Sequence, residues 1–138
     1  MYDKLLLVGN TGKGAEMRYT PTGKPVCTFS LAVNKQYTNQ SGEAVKQTKW
    51  FTITTWGKLA EICNQYVTKG MKVLVEGELT ADPGTGGPRI WQRADGSAGA
   101  NFEVVAATVR FLSSSSEQPR HGAQQDDFGG DPGEDIPF

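Results

Sequence analysis

Trp50-Phe51-Thr52-Ile53-Thr54-Thr55-Trp56-Gly57-Lys58 is the stretch from which the rest of the chain can be ordered. β-Branched and aromatic side chains fill Trp50 to Trp56, which predicts a strand, and Gly57-Lys58 then opens a helix. Successive strand side chains face opposite ways, so Phe51, Ile53 and Thr55 share one face while Trp50, Thr52, Thr54 and Trp56 share the other. Phe51 and Ile53 make an ordinary core pair. The opposite face sets two indoles among threonines, with Lys49 and Lys58 at its ends. Two readings of that face stand: a strand buried on both sides, or flat rings beside cations, which suits stacking of bases next to a phosphate backbone.

A chain of 138 residues is one domain's worth and long enough for a real core. Its net charge of −1 hides a split: residues 1–112 carry 13 Lys/Arg against 9 Asp/Glu, whereas residues 113–138 carry one Arg against six acids. A basic body with an acidic tail points to nucleic acid for the body. Cys27 and Cys63 have no metal-ligand spacing and read as buried, reduced thiols. The single histidine, His121, falls in the polar tail. Met1-Tyr2-Asp3-Lys4 and the four apolar residues after it are too short for a signal peptide, and no run reaches membrane-spanning length. A soluble, cytoplasmic protein is the expectation.

Leu5-Leu6-Leu7-Val8 reads as a first strand ended by Gly9-Asn10. Gly9-Asn10-Thr11-Gly12-Lys13-Gly14 has the glycine spacing of a phosphate-cradling loop, but Ala15-Glu16 stand where Lys-Ser/Thr is required. A dinucleotide fingerprint starting at Gly12 fails at Met17, and Tyr19-Thr20-Pro21-Thr22-Gly23 is turn chemistry rather than a helix. A glycine-rich bend in a strand curving into a barrel is the better account. Val26 to Val33 alternates, with Cys27, Phe29, Leu31 and Val33 on one side, and continues into Lys35-Gln36-Tyr37. This strand pairs as a hairpin with the one carrying Trp50. Lys58 to Thr68 spaces Leu59, Ile62, Cys63, Tyr66 and Val67 as an amphipathic helix closed by Lys69-Gly70. Met71 to Leu79 alternates again, placing Met71, Val73, Val75 and Leu79 on one side. Residues 82–88 are loop, Trp91 sits between Arg89 and Arg93 in a long hairpin loop, and Phe102 to Leu112 is a last strand.

Three strands, a helix, then two strands is the order of a five-stranded OB-fold barrel, an all-β class with one α-helix between strands 3 and 4. That barrel takes oligonucleotides on strands 2 and 3 and on the loops joining strands 1–2 and 4–5, which is where Tyr37, Trp50, Trp56 and Trp91 fall. Lys35, Lys49 and Arg89 accompany those rings. Residues 1–112 therefore form the folded domain. Residues 113–138 are too polar and acidic to order themselves, and as a coil would span roughly 28 Å. Gly133-Glu134-Asp135-Ile136-Pro137-Phe138 ends the tail on an apolar plug after acid, suited to a partner's pocket with a basic rim. No nucleophile–base pair, metal cluster or complete phosphate loop supports an enzyme, and no cofactor is expected. A protein-binding OB module and an RNA-binding one remain as rivals.

The chain resembles the bacterial single-stranded DNA-binding proteins over essentially its full length. The resemblance rests on Leu7-Val8-Gly9-Asn10, Arg18-Tyr19-Thr20-Pro21-Thr22-Gly23, Trp50, Trp56-Gly57-Lys58-Leu59-Ala60-Glu61, Lys69-Gly70, Val75-Glu76-Gly77-Glu78-Leu79 and Asp135-Ile136-Pro137-Phe138. It implies a homotetramer around which single-stranded DNA wraps, with Tyr37, Trp50, Trp56 and Trp91 as stacking rings and Lys4, Lys58 and Lys69 as backbone-binding cations. It also implies that the tip, Glu134 to Phe138, recruits replication, recombination and repair proteins, in the cytoplasm at the nucleoid. Tyr37 stands where the family often has Trp, Trp56 where it often has Phe, the 83–88 stretch is longer than usual, and the tail is short.

Overall fold

The computed structural model describes residues 1–112; the expectations for 113–138, including the tip residues Glu134, Asp135, Ile136, Pro137 and Phe138, lie outside the described residues. In chain order the elements are β1 (Leu5–Thr11), β2 (Glu16–Tyr19), β3 (Pro25–Thr38), β4 (Ala44–Trp56), α1 (Lys58–Tyr66), β5 (Lys72–Leu79), β6 (Ile90–Gln92), β7 (Ala98–Ala100) and β8 (Phe102–Phe111). The main sheet runs β1-β5-β8-β4-β3-β2, and β1 also pairs with β3. That extra pairing joins Asn10 to Ala32 and Thr11 to Leu31, closing β1, β3, β4, β8 and β5 into a five-stranded barrel. All the closing pairs are antiparallel except β4 with β8, which is parallel. With α1 between the third and fourth barrel strands, this is the expected OB fold.

Alternation fills the barrel. Cys27, Phe29 and Leu31 of β3, Phe51 and Ile53 of β4, Val73 and Val75 of β5 and Val104 of β8 point inward and are buried. Ala60, Cys63 and Val67 bring the helix side onto the same core. Its one buried hydroxyl on β4 is provided for, since Thr55 Oγ1 donates to the Cys27 carbonyl at 2.9 Å. Burial pushes the Cys63 thiol up to about 11, and the Cys27 thiol upward as well, so both are poor nucleophiles. Among the described residues no helix is long and apolar enough to cross a membrane, and no three metal-ligating side chains gather.

The structure departs from the sequence reading at four places. β1 does not stop at Gly9-Asn10, because Asn10 is where the barrel closes, paired with Lys72 on one side and Ala32 on the other. The helix ends at Tyr66, with the Val67 N–H bonded to the Cys63 carbonyl, so Lys69-Gly70 lie in the following turn. Thr11 pins that turn, donating its hydroxyl to the Thr68 carbonyl and accepting from the Met71 N–H at 3.0 Å. Leu79 is exposed: it is the last residue of β5, three residues beyond the register shift at Glu76/Gly77, where Ala107 of β8 is left unpaired. Trp91 lies on a short β6–β7 ribbon and not in an open loop.

Candidate nucleic-acid interface

The β3–β4 hairpin is the platform, paired without interruption from Val26 with Trp56 to Thr38 with Ala44. Because Phe51, Ile53 and Thr55 turn inward, Trp50, Thr52, Thr54 and Trp56 turn outward. Both indoles are open to solvent, at 54% for Trp50 and 47% for Trp56. The reading of β4 as a strand buried on both sides is therefore excluded. The rings stand six positions apart, about 20 Å along a strand. Ser30 and Thr28 stand opposite Thr52 and Thr54, so the ground between the rings is short and polar.

The glycine-rich segment after β1 runs beneath Trp50. A Cβ on Gly12 would stand 2.7 Å from Trp50 Cζ3 and 2.6 Å from Ser30 Oγ, closer than real side chains allow. Its backbone is held there, with the Gly12 N–H on the Ser30 carbonyl at 3.0 Å and the Lys13 N–H on Ser30 Oγ at 3.1 Å. The stretch that imitates a phosphate loop is in this fold the seat of an aromatic ring.

Beyond Val33 and Lys49 the hairpin leaves the barrel as an arm. Tyr37 lies near its end, 45% exposed, with Lys35 Nζ 5.9 Å from the ring centroid. Thr48 Oγ1 donates to Asn34 Oδ1 at 2.8 Å across the arm, and Lys35 and Lys46 line a cleft beside that bond. The second arm is the β6–β7 ribbon. Trp91 pairs with Gly99, and a Cβ there would come within 2.9 Å of the indole, so the ring lies half-buried over the glycine backbone.

Arg89 ties this ribbon to the barrel. Its guanidinium meets the Glu103 carboxylate twice, Nη2 to Oε1 at 2.6 Å and Nε to Oε2 at 3.3 Å, and lies 5.9 Å from the Trp91 ring. Glu103 holds the Arg89 pKa above its usual value through that hydrogen bond and its charge. Glu103 is the register partner of Thr52, so the pair is brought over the β4 face, where Arg18, Thr28, Thr52, Thr54, Arg89 and Glu103 line a cleft of about 300 Å³.

The remaining cations divide. Lys49 lines a cleft with Trp50, and Lys58 follows two residues after Trp56 at the start of α1; both are exposed. Lys69 is exposed in the turn whose Gly70 N–H bonds the Thr11 carbonyl at 2.8 Å, one residue from Gly12. Lys4 stands elsewhere, beside β5, with Nζ 2.7 Å from Glu76 Oε1 and its pKa raised by that contact. Phe102, Arg18 and Lys46, which line clefts on these elements, were not among the candidate site residues of the sequence. Phe102 alternates with the inward Val104 and Ala106 and so reads as core, yet it is exposed.

If Gly12 seats the indole, a methyl group there must move it. In a chain carrying Trp56→Phe and Trp91→Phe, so that Trp50 alone emits, Gly12→Ala should shift the tryptophan emission while the far-UV circular dichroism stays that of the barrel. Identical emission spectra with and without the substitution would show that the ring does not rest on Gly12.

The model of the Single-strand binding protein family matches residues 2–112. The single-stranded DNA-binding protein of Caldanaerobacter subterraneus subsp. tengcongensis is 43% identical over 112 residues, covering 81% of this chain and 69% of that one. That of Thermotoga maritima is 38% identical over 111 residues, covering 80% and 74%. That of Neisseria meningitidis serogroup A is 32% identical over 127 residues, covering 92% and 69%. Among solved structures, the Plasmodium falciparum SSB complex with ssDNA has a TM-score of 0.68 at 24% identity, covering 82% of this chain and 97% of that one. The small single-stranded DNA-binding protein from Streptomyces coelicolor has a TM-score of 0.64 at 23% identity, covering 79% and 93%. These two likenesses speak for the barrel; the family match spans that whole barrel, platform and both arms included. The chain belongs to the single-strand binding protein family.

Proposed function

We propose that the chain binds single-stranded DNA without regard to sequence and without chemistry, stacking bases on the outward face of the β3–β4 hairpin. The observation that carries this reading is Trp50 and Trp56, both exposed on one face of a strand whose other face is core. Every base has a π-face, so each stacked base contributes about 1–3 kcal/mol whatever its identity. Tyr37 and Trp91 extend the stacking path along the two arms. Lys35, Lys49, Lys58 and Lys69 neutralise phosphates, a contribution that weakens with salt by a slope of about 0.7 per phosphate. Arg89 and Lys4 take part by exchanging Glu103 and Glu76 for phosphate. Residues 1–112 are the DNA-binding domain.

Titration with oligo(dT) at low and high salt, followed by tryptophan fluorescence, tests this reading. Strong saturable quenching is expected, and Trp50→Ala or Trp56→Ala should each weaken binding by about 1–3 kcal/mol. Unchanged affinity in both variants would remove the β4 face from the interface. Equal affinity for oligo(U) would extend the ligand to RNA, since stacking alone does not sense the 2′-hydroxyl.

The working unit is a homotetramer, so that linked contacts on four barrels add to the affinity of one. Support comes from β1. Among the described residues, Leu5 to Gly9 pair only with β5 and leave their other edge open, while Leu6 and Val8 are exposed on the outer face. Such an edge, continued by the same edge of a second copy, gives a self-complementary two-fold interface. Sedimentation should give the mass of four protomers, reduced by Leu6→Glu; a monomer at micromolar concentration would overturn the assembly.

Residues 113–138 serve as an acidic tail whose tip recruits replication, recombination and repair proteins to the DNA, and with that role goes a cytoplasmic, nucleoid-associated location. The apolar run Ile136-Pro137-Phe138 placed directly after the acids Glu134-Asp135 supports it. A labelled peptide of residues 129–138 should bind a single-strand exonuclease or helicase of the repair class, and Phe138→Ala should weaken that binding about tenfold, as for a buried aromatic anchor. Equal binding by the two peptides would remove the tip from partner contact.

A further inference from the structure

Phe102, the first residue of β8, lies outside every stacking position so far assigned. It pairs in parallel with Phe51, and the two ring centroids are 5.5 Å apart with planes tilted by 34°. Phe51 is buried at the barrel rim, while Phe102 is 57% exposed. One exposed phenylalanine needs no explanation. This one, however, lines two clefts together with Pro88 and Asn101, the three residues the clefts share.

The clefts differ in chemistry. One, of about 270 Å³, is walled by Leu79, glycine backbone from the 82–88 loop and the Glu103 side, and offers no cation. The other, of about 430 Å³, contains Trp50 and Lys49, with Gln47, Thr48 and Asn101 around them and no carboxylate. Its volume lies in the range of small-ligand clefts, about 300–1,000 Å³. It combines a flat apolar wall, neutral amides and a hydroxyl able to both donate and accept, and one positive charge. A nucleotide has the matching parts: a π-face, a polar base edge and a phosphate.

We infer that Phe102 is a fifth stacking ring, and that with Trp50, Lys49 and Asn101 it forms a slot for one nucleobase of the bound strand between β4 and the 82–88 loop. This rests on the single-stranded DNA reading of the β4 face and assigns a new subsite within it. The base lies against Phe102 on the Trp50 side, its edge meets the Asn101 and Gln47 amides, and Lys49 takes the adjacent phosphate. Because an amide can present either its oxygen or its nitrogen, such an edge contact accommodates different bases.

The test compares the full chain with Phe102→Leu and Phe102→Tyr, titrated with a 15-residue oligo(dT) and checked by thermal unfolding. Leucine keeps apolar cover over Phe51 but lacks a π-face, so binding should fall about tenfold at unchanged unfolding temperature. Tyrosine should bind as the unsubstituted chain does. A reporter chain with Trp50→Phe, Trp56→Phe and Trp91→Phe plus Phe102→Trp should have its sole indole quenched by the oligonucleotide. Unsubstituted affinity in Phe102→Leu, or an unquenched indole at saturation, would overturn the slot alone and leave Phe102 as cover for Phe51 or as a protein contact. Failure of the unsubstituted chain to bind oligo(dT) at all would overturn both the slot and the reading beneath it.

Discussion

Pairing between β3 and β4, continuous from Val26–Trp56 to Thr38–Ala44, is the constraint on which both core and interface depend. In a strand the side-chain period is two, so a slip of one residue would turn Trp50 and Trp56 into the barrel and Phe51 and Ile53 out of it. The register is held from inside by apolar burial of Phe29, Leu31, Phe51 and Ile53 and by the Thr55 hydroxyl on the Cys27 carbonyl. The outward rings are thus positioned by residues that never meet a ligand. Where the hairpin runs past the barrel the same pairing continues, and Tyr37 is carried outward on an arm held by the ladder and by the Thr48–Asn34 hydrogen bond across it.

Two of the proposed phosphate-binding cations, Arg89 beside this face and Lys4 beside β5, are engaged before any strand arrives. Arg89 forks onto Glu103 and Lys4 onto Glu76, in pairs open to water. Exposed pairs of this kind add little to stability, so a phosphate can replace the carboxylate at small cost. Their value to the fold is placement: Arg89–Glu103 holds the root of the 82–100 segment against β4, which sets Trp91 relative to Trp50. The residues 1–112 carry only a small positive excess. In the proposed assembly, stacking and the linking of several barrels supply what long-range attraction does not.

How much of this was legible in the sequence follows the range of each interaction. The alternation of β3 and β4 and the helix opening at Gly57-Lys58 are local, and both stand as read. The helix end was misplaced because the apolar spacing runs on through Val67, while the stop comes from Thr11, far off in sequence, taking the Thr68 carbonyl. Leu79 and Phe102 obey the inward alternation of their strands, yet both lie past the rim, and nothing in a periodic pattern marks where a barrel ends. The carboxylate partners of Lys4 and Arg89 were equally hidden, since a cation's charge is visible in a sequence and its neighbour across a sheet is not.

Gly12 and Gly99 show the same limit from the other side. Gly12 reads as part of a bend in a strand and Gly99 as part of a glycine-rich turn, and each proves to be the flat ground under an indole that comes from a different strand. A ring resting on bare backbone has fewer rotamers to lose when a base stacks on it, so part of the ordering cost of binding is met during folding. Trp50 and Trp91 are held this way. Tyr37, near the end of its arm with the Lys35 ammonium 5.9 Å from its ring centroid, has no such glycine seat among the described residues. The face thus combines seated rings near the barrel with one at its margin that has no such seat, which suits the proposed stacking of bases without regard to sequence.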